Sequence, residues 1–293
     1  MRQNQSDMIR YLAAQRQLYD EEKSCKVGVY VLMAVSSLSI MAVVGLGFWP
    51  VTDPQIALLA FILAIMELGI LHVIGHKRDD AARVQELFDC ELLQLKWNDI
   101  LVDRPDSLLI QGAEDRFNKK PNHKEAEAEL RDWYSRDFTP DTPLAQARLS
   151  CQKSNLYWDK DIRNEWRTVL IISLALVVGL TLILSGFLHW TIIDYFKGPF
   201  LLILPLVVIV FKEILEQGLA YKRIDELERK ADYLLQETKH TDIDEADIIE
   251  KSRQLQDEIY NHRKMDSTIP NFIYDRVRKR REPNRAKPVP AEK

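Results

Sequence analysis

Two groups of residues in this chain are of types that could hold a ligand or handle charge. The first is a set of cations, planar side chains and amides: Arg131, Trp133, Arg136, Gln152, Lys153, Asn155, Trp158 and Arg163, joined further along by Arg253, Tyr260 and Arg263. Guanidinium and ammonium groups hold phosphates, aromatic faces stack on bases, and amides read base edges. The opposing reading is that the aromatic residues are core and the cations solvated, the usual fate of such residues in helices. The second group is Glu67, Lys212, Glu213 and Glu216, inside or beside apolar runs. A charge at membrane depth is costly and faces a partner, a water-filled cavity or a pore, whereas near the end of a span it can snorkel to the interface and pair there. Both readings stand for these four. His72 and His76 lie one helical turn apart, but no third ligand is placed by the sequence, and no metal site is expected. The spacings of Gly-x-x-x-x-Gly-Lys, Gly-x-Gly-x-x-Gly, His-Glu-x-x-His and Gly-x-Ser-x-Gly are all missing, with only ten glycines in the chain, so no catalysis and no cofactor are expected.

The elements that must position these residues follow from how the apolar residues are distributed. The chain of 293 residues is 46% hydrophobic yet 29% charged, with a slightly negative mean hydropathy. Its apolar residues are therefore segregated, as in membrane spans joined to a polar domain. Between Arg167 and Asp194 no residue is charged, which leaves about 26 positions where roughly 20 suffice to cross ~30 Å of hydrocarbon. The second arm, Pro199 to Phe211, holds about 13, short of the usual minimum near 17, and Pro205 invites a kink. Val27 to Trp49 and Ile56 to Ile74, joined by a turn at Pro50 to Pro54, form a similar hairpin. The predicted fold is an all-α membrane protein: four transmembrane helices as two hairpins, with a helical cytosolic domain built from the 75–167 insert and the C-terminal helices.

In order, 1–26 reads as an amphipathic cytosolic helix with Met8, Tyr11, Leu12, Gln15, Leu18, Tyr19 and Glu22 on one face. Residues 27–74 are the first transmembrane hairpin and 75–167 the cytosolic helical domain. Within that domain helices are expected over Ala82 to Trp97, about Pro121 to Tyr134, and Leu144 to Trp166, with Pro105 and Gly112 breaking the pattern between the first two. Residues 168–211 form the second hairpin and 212–275 a cytosolic helical hairpin. Its first helix carries a seam of Ala220, Ile224, Leu227, Ala231 and Leu234, and its second carries Ile248, Leu255, Ile259 and His262 on one face. Residues 276–293 read as a basic, proline-punctuated tail expected to be disordered. Lys and Arg flank the spans on one side, so both termini are expected in the cytoplasm. Three scattered cysteines suit that reducing compartment, and a net charge of −4 gives no case for binding DNA or RNA.

Phe88-Asp89-Cys90 with Trp97-Asn98, then Cys151-Gln152 with Asn155 and Trp158-Asp159, then Leu255 to Arg263 followed by Pro270-Asn271-Phe272-Ile273-Tyr274 stand in this order around the two hairpins. This arrangement, from about Gln15 to Arg281, resembles the bacterial SMODS-associating four-transmembrane effector family. Lys153 stands where that family commonly has Arg, Leu255 where it has Ile, and Asn271-Phe272 where it has Asp-Trp. The resemblance implies an inner-membrane effector of anti-phage signalling that responds to a cyclic di- or trinucleotide made by a partner nucleotidyltransferase. Such an effector assembles as a homo-oligomer to breach the lipid bilayer and stop the infected cell. A non-pore membrane scaffold or sensor, recruiting partners through the 220–234 seam, and a small ion-channel subunit are the competing readings.

Overall fold

The computed structural model describes residues 2–45, 54–134, 142–196, 200–238 and 245–285. Among them are nine helices and no strand: α1 (Ser6–Gly45), α2 (Pro54–Leu93), α3 (Ser107–Asn118), α4 (His123–Ala128), α5 (Leu144–Phe187), α6 (Ile192–Tyr195), α7 (Leu201–Glu237), α8 (Glu245–Met265) and α9 (Asn271–Arg285). The long helices pack as two pairs, α1 along α2 and α5 along α7, and α1 also meets α3 and α7. The described residues are thus all-helical, as expected from the apolar periodicity. Among the described residues one helix, α5, is long and apolar enough to cross a membrane.

α5 has a polar part packed into the core and an apolar part whose described side chains are largely exposed. Along α5, Leu149, Leu156, Ile162 and Trp166 are buried, whereas Ile172, Leu176, Leu180 and Ile183 are exposed. The same change of surface occurs on α1, from buried Met8, Leu12 and Leu18 to exposed Val31, Leu32 and Val35. The anticipated face of α1 is buried through Met8, Leu12, Gln15, Leu18 and Glu22. On α7 the seam residues Ala220, Ile224, Leu227, Ala231 and Leu234 are buried against Ala145, Leu149 and Leu156 of α5 and Ile248, Leu255 and Ile259 of α8. Burying each Leu or Ile there contributes about 1.5–3 kcal/mol relative to exposure. The seam is therefore filled by this chain's own helices.

Helix ends follow local chemistry. Gln94 takes φ 53°, and Leu95 N–H turns back to the Cys90 carbonyl at 2.9 Å, which closes α2 in the manner usually left to glycine. Past α5, His189 at φ 55° and Trp190 N–H to the Ser185 carbonyl at 3.0 Å repeat the motif. A reciprocal Thr191–Asp194 capping box then starts α6.

Three expectations change. The stretch expected to be broken between Pro105 and Gly112 holds α3, because Asp106 caps it by accepting from Leu108 N–H and because Ile110, Ala113 and Phe117 share a buried face. The helix expected over Pro121 to Tyr134 shrinks to α4: Asn122 makes no side-chain cap there, and Asp132 sits at φ 51°. The expected disordered tail is helical as far as Arg285, because Ile273 and Val277 bury against Ile162, Trp166, Leu170 and Ile214.

Candidate functional site

The polar parts of α1, α5, α8 and α9, with Gln85 of α2 and Glu228 of α7, line an open cavity of about 1770 Å³. Five α1 residues at helical spacing, Gln15, Arg16, Tyr19, Asp20 and Lys23, form one wall. From α5 come Lys153, Asn155, Tyr157, Trp158, Asp159 and Arg163, from α8 His262 and Arg263, and from α9 Asn271, Tyr274, Arg278 and Arg280. Trp133, Tyr134 and Glu129 close it from the segment that follows α4.

Six of the residues singled out by chemistry therefore meet in one place: Trp133, Lys153, Asn155, Trp158, Arg163 and Arg263. The others do not join them. Arg131 is exposed and pairs with Glu127 on its own turn at 3.1 Å. Gln152, 1% exposed, ties α5 to α8 by donating to the Ser252 carbonyl at 2.9 Å and to Gln256 Oε1 at 3.0 Å. Arg253 pairs with Glu86 at 2.7 Å and Asp257 at 2.6 Å, and Tyr260 is core beside Phe88 and Tyr134. Arg136 lies outside the described residues, as do the side chains of Glu67, His72 and Pro205. Exposed Lys212 and half-buried Glu216 pair with each other at 3.6 Å, while Glu213 turns inward and is 4% exposed. Among the described residues no three of His, Cys, Asp or Glu gather to hold a metal.

The walls carry both signs of charge in a defined arrangement. Arg16 and Arg278 converge on Glu129 at 2.8 and 2.7 Å. Burial works to raise the Glu129 carboxyl, but the two guanidinium groups outweigh it and hold it below the usual carboxylate value. Lys153 pairs with Asp232 of α7. Lys23 reaches Asn271 at 2.9 Å and lies over the Tyr274 ring at 5.7 Å, and that ring meets Trp158 edge-on at 5.6 Å. Asp159 accepts from Arg163 Nε at 3.1 Å and stands 2.6 Å from His262 Nε2. Burial alone would push the Asp159 carboxyl up; Arg163 and His262 reverse this and hold it well below the ordinary range.

The α1 and α9 walls escaped sequence reasoning. Gln15, Tyr19 and Glu22 belong to the packing face expected of α1, and the sequence assigns no site role to Arg16, Asp20 or Lys23. Arg278 and Arg280 had been read as part of a tail. The recoverable signal was the spacing of Asn271, Tyr274, Asp275 and Arg278, which puts polar and aromatic groups on one side of a helix whose other side holds Ile273 and Val277.

This polar, aromatic-lined cleft lies where α5 passes from its polar part into an apolar stretch long enough to cross a membrane, in a chain whose described residues are helical. The sequence model of the SMODS-associating 4TM effector domain matches residues 1–289, and the chain belongs to this family. It is thus a membrane protein of an anti-phage effector family. It is 24% identical over 289 residues, 93% of this chain and 90% of the relative, to the probable CBASS effector molecule IK1_05631 of Bacillus cereus (strain VD146). No solved structure matches the chain.

Proposed function

We propose that this effector senses a cyclic oligonucleotide in the cavity and answers by opening a homo-oligomeric pore in the bacterial inner membrane, ending the infected cell. Both termini then lie in the cytoplasm, and the apolar halves of α1, α2, α5 and α7 are the four spans. The observation that carries this reading is the continuity of α5: one helix of 44 residues supplies Lys153, Trp158 and Arg163 to the cavity and exposed Ile172, Leu176, Leu180 and Ile183 to the bilayer. A rigid element reaching from site to membrane is the plainest mechanical link between binding and opening.

Chemistry supports the ligand class. The cavity has room for a molecule of two or three nucleotides. Arg16, Lys23 and Lys153 supply charge for phosphodiesters, and Trp133 and Trp158 supply faces for bases. A ligand of this kind drives opening only if it binds the open form better, and turning a 1:99 population into 99:1 takes a preference of about 10⁴.

The test is made with full-length protein in dye-loaded liposomes, challenged with a panel of cyclic di- and trinucleotides and followed by calorimetry and dye release. One member should bind and release dye while linear nucleotides do neither. A panel that neither binds nor releases dye overturns the reading.

A further inference from the structure

Glu213 sits where α7 leaves its apolar stretch, and its carboxylate gathers donors from every neighbouring element. Lys26 of α1 reaches Oε1 at 2.9 Å and Gln217 reaches the same atom at 2.9 Å, Trp166 Nε1 of α5 lies 3.4 Å away, Tyr30 of α1 donates to Oε2 at 3.0 Å, and Ser267 of the α8–α9 connection donates at 3.0 Å. The Lys26 and Glu213 side chains are only 6% and 5% exposed. Lys26 also donates to the Thr268 carbonyl at 2.9 Å. A charge pair this deep is tolerated only while its lone pairs and protons are satisfied, so it is either complete or broken, with little between. Immediately on its apolar side, Val29 and Tyr30 of α1 pack with Ile209 of α7. Separation of α1 from α7 at this level requires this pair to break.

The same carboxylate is wired to the cavity. Arg163, in the cavity wall, holds Asp159 with Nε, while its Nη1 donates to Gln217 Oε1 at 2.8 Å and to the Ser267 carbonyl at 3.1 Å. Gln217 in turn donates to Glu213. One guanidinium thus touches both the site and the residues that satisfy Glu213.

We propose that Glu213 is the latch that holds α1 against α7 and that Arg163 is its release. The inference rests on the cavity being the nucleotide site. A phosphate competing with Asp159 for Arg163 turns the guanidinium toward the ligand and withdraws its donors from Gln217 and the Ser267 carbonyl, so that two of the residues donating to Glu213 lose the contact that holds them in place.

The latch is tested without nucleotide, with full-length protein in carboxyfluorescein-loaded liposomes of phosphatidylethanolamine and phosphatidylglycerol. Glu213→Gln and Lys26→Met should each leak at least tenfold faster than the native protein. Lys26→Arg, which keeps the positive charge and the donors, should return to within threefold of it, circular dichroism confirming the helical fold. Single variants that remove the charge, fold and stay tight overturn the latch, as does a Lys26→Arg protein as leaky as Lys26→Met. The release is tested on the native protein by amide hydrogen exchange, which needs no variant to fold. Saturation with the panel nucleotide that binds should speed exchange at 26–30 and 213–217 at least threefold, and unchanged exchange there overturns the release. If the nucleotide reading alone fails, no panel member binds, yet the single variants still leak.

Discussion

Arg263 Nη1 of α8 donates to Asp89 Oδ2 of α2 at 2.7 Å, with side chains 9% and 1% exposed. Asp89 also accepts from the Tyr134 hydroxyl at 2.8 Å and from Gln256 at 3.2 Å. The cavity floor is therefore bolted to the core by a pair that water does not reach. Removing one member strands the other, and such a loss costs about 3–5 kcal/mol. Arg263→Ala should lower the unfolding free energy by that amount in a denaturant titration of detergent-solubilised protein. A loss under about 1 kcal/mol, the range of exposed pairs, would show that the pair does not anchor α8.

Acid should loosen the cavity through Asp159. Its carboxyl is held low in the folded chain by Arg163 and His262, so its contribution to stability is fully present above the ordinary aspartate value near 3.9 and is lost as pH falls through that value toward the folded one. Thermal unfolding followed between about pH 5 and pH 3 should therefore show a falling midpoint in the native protein. The fall should be shallower in Asp159→Asn, which has no such proton to take up. Equal slopes would remove Asp159 from the acid response.

Much of this was legible beforehand because period and burial speak directly in sequence. The seam from Ala220 to Leu234 repeats at four and three, and a side chain at each of those positions is buried. Helix α3 was hidden because Pro105 and Gly112 carry breaking propensities that Asp106 capping and the burial of Phe117 override. The site was half legible. Trp133, Lys153, Trp158 and Arg163 advertise binding chemistry by type, but type alone could not separate them from Gln152 and Arg253, whose polar groups are spent on holding α8 to α5 and α2, or from Tyr260, which is buried in the core. Only the three-dimensional pairing tells a cation that lines a cavity from one that closes a core.

That distinction can be tested at the cavity rim. Arg16 and Lys153 line it from opposite walls, and each keeps about a third of its side chain exposed while paired with a carboxylate, Glu129 or Asp232. Exposed pairs of this kind are worth about 0–1 kcal/mol, and Glu129 retains Arg278 when Arg16 is removed. Arg16→Ala and Lys153→Ala should therefore leave stability within about 1 kcal/mol of native. A hydrogen bond to a charged group contributes about 1.5–3 kcal/mol, so each variant should bind the active cyclic nucleotide roughly 10- to 150-fold more weakly in calorimetry. Arg131 supplies the control, being exposed and turned to Glu127 rather than the cavity. Arg131→Ala should bind as the native protein does, and an equal loss of affinity there would move the ligand out of the cavity and onto the surface that Arg131 shares with Glu127.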